Sequence, residues 1–211
     1  MTNKRIVVGV TGASGAPYLI RFLQLILASD IEVHLTISDL GRRVLFEESD
    51  IRSIDAKGLK VSDFENKLIV YNDRDLGARI ASGSFLHDGM IILPCSSNTL
   101  GAIASGITNT LVQRAAAVTL KERRKLVLAH RESPVSLIDI RNMGTVVEAG
   151  AVVAPRYSGL YMRPEGIDDI VDFKVGKLIE LMHVQYELLV CWDTIVKSIT
   201  TANTGVRFTT S

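Results

Sequence analysis

A doubly wound α/β domain, with a mostly parallel sheet and helices on both faces, is predicted by three observations. Short β-branched runs alternate with longer segments of helical period along the 211 residues. Most strand runs are continuously apolar, as in sheets covered on both sides. A glycine-rich turn joins the first strand to the first helix. In chain order, "RIVVGV" predicts a strand over Arg5–Val10, and "TGASG" a tight turn. The helix Ala16–Ala28 opens on Ala-Pro, where proline suits a first helical turn. The strand Ile31–Ser38 and helix Leu40–Glu48 follow, and the stretch from Ile51 to Asn66 is polar or glycine-bearing, as a surface connection should be. The strand Lys67–Tyr71 leads into a second surface connection, "NDRDLGARIASGSF". The remaining strands are Gly89–Leu93, Lys125–Ala129 and Ala151–Ala154, and the remaining helices Thr99–Ser105, Asn109–Arg124, Ile138–Ala149 and Ile167–Leu189.

Composition narrows the function classes. A 47% hydrophobic chain with a mean hydropathy of +0.24 fills one domain. A net charge of +1 leaves no electrostatic footprint for nucleic acid or a membrane surface. Two cysteines, Cys95 and Cys191, argue against a disulfide framework and for a reducing interior. The N-terminus runs directly into a core strand, and no apolar run reaches the ~20 residues of a membrane span, so a cytoplasmic protein is expected.

The carboxyl ends of the strands share one chemistry. Gly12-Ala13-Ser14-Gly15 follows the first strand, Ser38-Asp39 the second, Cys95-Ser96-Ser97-Asn98-Thr99 the fourth and His130-Arg131-Glu132-Ser133 the fifth. The glycine spacing fits neither GxGxxG nor GxxxxGK[ST], so neither a dinucleotide fingerprint nor a Walker loop is supported. Capping is the competing explanation for Ser96, Ser97 and Thr99. Four strand ends of the same small, hydroxylated character favour a cradle for a phosphate and a polar ring system, and flavin mononucleotide (FMN) suits it. Arg114 and Lys121, seven residues apart, lie on one stripe of their helix. Arg131 follows an apolar strand, where charge is costly unless paired, and Glu132 is a candidate partner.

The motifs "VTGASGA", "PCSSNTL", "NTLVQRAA", "LKERRKLVLAHRESP", "NMGTVVEAGAVVAP", "GLYMRPE" and "DIVDFKVGKLIELM" together resemble the UbiX-type flavin prenyltransferases, in family order from Arg5 to Trp192. The resemblance implies a Rossmann-like, flavoprotein-type three-layer sandwich: a single FMN-binding domain over residues 1–192, with residues 193–211 as a tail, either disordered or at a subunit boundary. It implies a homododecamer with active sites between subunits. The implied reaction transfers a dimethylallyl group from dimethylallyl monophosphate to N5 and C6 of reduced FMN, with no metal. Its product, prenylated FMN, serves UbiD-type decarboxylases in ubiquinone biosynthesis or aromatic acid breakdown.

By the same resemblance, flavin contacts fall on Gly12, Ala13, Ser14, Ser38, Ser96, Ser97, Asn98, Thr99 and Arg131. Donor phosphate contacts fall on Tyr161 and Lys177, with Arg114, Lys121 and Arg131 completing a cationic shell, the first two from a neighbouring subunit. Many family members carry arginine where Lys177 stands; a lysine holds phosphate as a point charge. The cations would stabilise the leaving phosphate, and the face of Trp192 an allylic cation. Glu48 and Glu132, with Ser14 as relay, would move the protons. Two other functions fit a similar fold: a phosphopantothenoylcysteine-type decarboxylase, whose catalytic histidine neither His34 nor His87 matches in position, and a flavodoxin-like electron carrier, usually acidic, which this chain is not.

Overall fold

The computed structural model describes residues 4–155 and 163–184. Six strands, β1 (Arg5–Val10), β2 (Glu32–Ile37), β3 (Leu68–Asn72), β4 (Gly89–Cys95), β5 (Leu126–His130) and β6 (Val152–Val153), form one all-parallel sheet in the order β3-β2-β1-β4-β5-β6. Six helices accompany them: α1 (Ala16–Ala28), α2 (Asp39–Ser49), α3 (Ser97–Ala104), α4 (Leu111–Lys121), α5 (Leu137–Glu148) and α6 (Ile167–Leu181). Alternate residues of each apolar strand serve opposite faces. Ile6, Val8 and Val10 pack with Phe22, Leu23, Val175 and Leu178 of α1 and α6, whereas Val7, Met90, Ile92 and Leu128 pack with Leu100, Val112 and Ala116 of α3 and α4. The chain winds outward from β1 to β3, then returns to β4 on the other side. The crevice between the carboxyl ends of β1 and β4 is therefore the switch point where such sheets bind ligands.

Both predicted surface connections contribute to the core. Ile51, Ala56, Leu59 and Val61 are buried in the first cluster, and Ile80, Ala81 and Phe85 in the second. These apolar residues are scattered through polar stretches that contain short 3₁₀ turns (Ser62–Lys67, Arg79–Ala81) and follow neither regular period. β4 continues two residues past the predicted end. Pro94 removes a ladder donor there and the pairing with β5 shifts between Ile92 and Cys95, an irregularity typical of a proline in a sheet. Helix ends differ from prediction where caps decide them: Thr110 caps α4, and Arg123, at φ 57°, turns the chain after it. The described part of α6 stops at Leu181, short of the predicted Leu189, with residues from 185 onward outside the description.

Candidate functional site at the carboxyl edge of the sheet

Gly15, at φ 148°, makes the turn into α1, a conformation suited to glycine. Gly12 lets the loop approach α2, since a Cβ there would stand 2.6 Å from the Cβ of Leu40. The first N–H groups of α1 would be ready for an anion, but the chain supplies its own: Oε2 of Glu48, from the last turn of α2, accepts from Gly15 N and Ala16 N, both at 2.8 Å. Ser14 is exposed at the tip of the loop and Ala13 is buried, its N–H donating to Thr11 O. Thr11 joins β1 to β4: its hydroxyl donates to Pro94 O at 2.9 Å and accepts from Ser96 N at 2.9 Å.

Three helices begin around one cavity of about 460 Å³, lined by Gly12, Ser38, Ser96, Asn98 and Thr99 together with Asp73, Arg74, Asn109, Thr110 and Gln113. Ser38 caps α2 by accepting from Gly41 N at 3.1 Å, and Ser96 caps α3 by accepting from Thr99 N at 3.3 Å. At α4 every early donor is taken: Gln113 N by Thr110 Oγ1, Leu111 N by Asp73 O, and Val112 N by Asp73 Oδ1 at 2.9 Å. The N–H groups of Asp39 and Leu40 on α2, and of Ser97 and Asn98 on α3, have no hydrogen-bond partner among the described residues. Two helix starts thus remain open to an anion, and they face each other across the switch point. Asp39 at the rim pairs with Arg74 at 2.7 Å, which holds its carboxyl below the usual range.

A second cavity, of about 600 Å³, lies beyond β5 and is lined by His130, Arg131, Glu132, Met143 and Pro155 among others. Arg131 is exposed and forms no ion pair among the described residues; its expected partner Glu132 instead accepts from Ser133 N at 3.1 Å. An exposed guanidinium needs no partner, because solvent already screens it. Ser97 Oγ lies 3.0 Å from Nε2 of His130, which lines this second cavity. Cys95 beside it is buried, which pushes its thiol up to about 12 and leaves it an inert apolar filler.

The Flavoprotein family model matches residues 1–179. The flavin prenyltransferase UbiX of Thermoplasma acidophilum is 44% identical over 89% of this chain and 99% of its own. The chain belongs to the UbiX family of flavin prenyltransferases. The Escherichia coli UbiX is 42% identical over 84% of this chain and 90% of its own, and the mitochondrial flavin prenyltransferase of Saccharomyces cerevisiae 38% over 91% and 76%. A solved UbiX protein in complex with FMN and dimethylallyl pyrophosphate superposes with a TM-score of 0.80 at 38% identity, covering 90% of this chain and 99% of that one. A dodecameric FMN-dependent UbiX-like decarboxylase from Escherichia coli O157:H7 gives 0.80 at 36% identity, covering 89% and 98%. A phosphopantothenoylcysteine decarboxylase, at 16% identity over 74% of this chain and 84% of its own and TM-score 0.58, shares the fold alone.

The remaining residues expected to function in this UbiX-family chain lie apart from the two cavities. Arg114 and Lys121 line a third, of about 440 Å³, with Gly83, Thr108 and Val118, and Lys121 pairs with Glu122 at 2.9 Å. Lys177 is exposed on α6 and pairs with Glu180 at 3.0 Å. Tyr161 and Trp192 lie outside the described residues. His34 is buried within β2 against Tyr71 and Glu32, and His87 turns back to Gly89 O, so neither reaches the first cavity. Sequence reasoning missed Asp73, Arg74, Asn109, Thr110 and Gln113; only "NDRD" after β3 and "TNT" before α4, both cap-forming strings, signalled them.

Proposed function

We propose that this chain is a flavin prenyltransferase that takes dimethylallyl monophosphate as donor and reduced FMN as acceptor. Its place in the family gives the reaction type. The observation that carries the residue assignment is the pair of open helix starts at the switch point beside a cavity bearing an arginine with no ion pair among the described residues. The fit to FMN rests on donor count: the N–H groups of Asp39, Leu40, Ser97 and Asn98, with the hydroxyls of Ser38, Ser96 and Thr99, would hold its phosphate, while Gly12 to Ser14 and Arg131 would border its ring system. Reduced FMN supplies the nucleophilic N5 and the C6 position across which a five-carbon unit closes a fourth ring.

The chain's own groups serve the donor. Arg131, Lys177 and Tyr161 would bind its phosphate, and the basic charge stabilises the phosphate as the C–O bond breaks, without calling on a metal. Lys121 lies eleven residues beyond Thr110, about 16 Å along α4, at the opposite end from the cavity. That distance supports giving Lys121 to a neighbouring copy's site, and Arg114 is given the same role by the family resemblance alone. Glu132 beside Arg131 and Glu48, bonded to the loop that carries Ser14, would move the protons that ring closure requires, and the face of Trp192 would shelter the allylic cation. Leu137, Ile138, Ile140 and Val147 on α5 are exposed, an apolar face that a homododecamer would bury. The product is passed to a UbiD-type decarboxylase. No helix among the described residues is long and apolar enough to cross a membrane, and we place the protein in the cytoplasm.

The test is anaerobic incubation of the reduced FMN complex with dimethylallyl monophosphate, with and without a chelator. A flavin heavier by one C5 unit, one inorganic phosphate released per flavin and no effect of the chelator are expected. Unmodified flavin would refute the activity, and preference for the diphosphate donor would refute the choice of monophosphate.

A further inference from the structure

His130 ends β5, Ser97 begins α3 and Asp139 lies in the first turn of α5, so one small cluster joins three elements behind the first turn of α3, whose Asn98 and Thr99 line the cavity assigned to FMN. His130 is 2% exposed and Asp139 8%. His130 Nε2 is 3.0 Å from Ser97 Oγ. Asp139 is held below the usual carboxylate range first by the Ser136 hydroxyl and then by that of Ser97, so it carries a full negative charge beside the serine. Burial pushes His130 down, toward the neutral imidazole, against the opposing charges of Asp139 and Glu132. This is no hydrolytic triad, because no hydrogen bond joins the carboxylate to the imidazole among the described residues and the serine stands between them.

A serine hydroxyl has one hydrogen and accepts through its lone pairs. The anionic Asp139 draws that hydrogen, which leaves the imidazole to donate. We propose that His130, as the neutral Nε2–H tautomer, donates to Ser97 Oγ and is a positioning residue for the flavin site, fixing the first turn of α3 so that the N–H groups of Ser97 and Asn98 stay aimed at the bound phosphate. The inference rests on the assignment of the α2–α3 cavity to FMN. It adds a residue that the chain supplies from β5, acting through its contact with the serine. Without the imidazole, the Ser97 hydroxyl keeps only its bond to Asp139, and its unengaged lone pairs can accept from the helix's own first donors.

Two measurements test it. In protein labelled with ¹⁵N-histidine and saturated with FMN, the His130 ring should show a protonated Nε2 and a bare Nδ1 at neutral pH; the opposite tautomer would overturn the proposal. FMN dissociation constants, followed by flavin fluorescence, should rise about tenfold in H130L and in S97A. The double variant should be no worse than either single one, and H130Q, whose amide N–H can replace Nε2–H, should stay within about threefold of wild type. Wild-type affinity in H130L, or additive losses in the double variant, would contradict it. Where H130L fails to fold, S97A decides with H130Q: the expected result is a tenfold loss in the first and retention in the second, and equal affinities refute. Failure of the wild-type chain to bind FMN overturns the cavity assignment and this inference with it, an outcome distinct from wild-type binding with insensitive variants.

Discussion

The Glu48 carboxylate sits where phosphate binds at other glycine-rich loops. Its two 2.8 Å bonds to Gly15 N and Ala16 N mean that the "TGASG" turn, which lacks both standard spacings, holds a carboxylate of its own chain, and the proposed anion site lies instead at the starts of α2 and α3. A Glu48→Gln variant keeps an acceptor oxygen for those donors but loses the ionisable group. Its FMN affinity should stay within about threefold while single-turnover prenylation falls by about 10² or more, the usual worth of a positioned acid or base. Glu47, exposed and paired with Arg43 at 2.7 Å, is the control, and Glu47→Gln should match wild type. Equal rates in the two variants would remove Glu48 from the mechanism.

At the scale of elements, caps and short connectors account for most of what the sequence left hidden. Apolar runs of the right period placed all six strands and six helices, because burial on both faces of a parallel sheet leaves a continuous hydrophobic signature. The strand-end hydroxyls were legible for a local reason, since a cap and its helix adjoin in sequence. Asp73 was not: it reaches Val112 N across 39 residues, and His130 meets Ser97 across 33, partnerships no local pattern encodes. Asp73→Ala leaves Val112 N without its acceptor and should cost about 1–2 kcal/mol, seen as a lower urea midpoint at unchanged slope. Asp73→Asn, which keeps an oxygen there, should recover much of the loss; an Ala variant as stable as wild type would show that the bond carries no weight.

For the whole molecule, pH and assembly supply the tests. Beneath the sheet edge, His34 lies 2.7 Å from Glu32 Oε1 and 2.8 Å from Tyr71 OH, and Arg5 holds the same glutamate at 3.1 Å. Burial carries His34 below its ordinary 6.5, and the partly exposed Glu32, though burial acts against it, is carried below 4.5 by its bonds to His34 and Arg5. Both groups therefore bind fewer protons folded than unfolded, so stability rises with pH. The His34 contribution is complete above pH 6.5 and falls as pH drops through its folded value, with Glu32 following below 4.5. Denaturation midpoints should decline from pH 7 to pH 5, and His34→Gln should flatten the upper part of that decline; an unchanged slope would exclude His34. The proposed sharing of sites between copies predicts that Arg131→Ala and Lys121→Ala chains, each inactive alone, regain about a quarter of wild-type activity when co-assembled at random, since half of the chains are intact at each position. No recovery would place both residues in one chain's site.

A crystal structure of the protein with FMN tests the central claim most directly, because the position of one phosphate distinguishes the anion sites. We expect that phosphate against the N–H groups of Leu40, Ser97 and Asn98, with Glu48 still bonded to Gly15 and Ala16. A phosphate seated on Gly15 N and Ala16 N, with Glu48 displaced, would contradict the account.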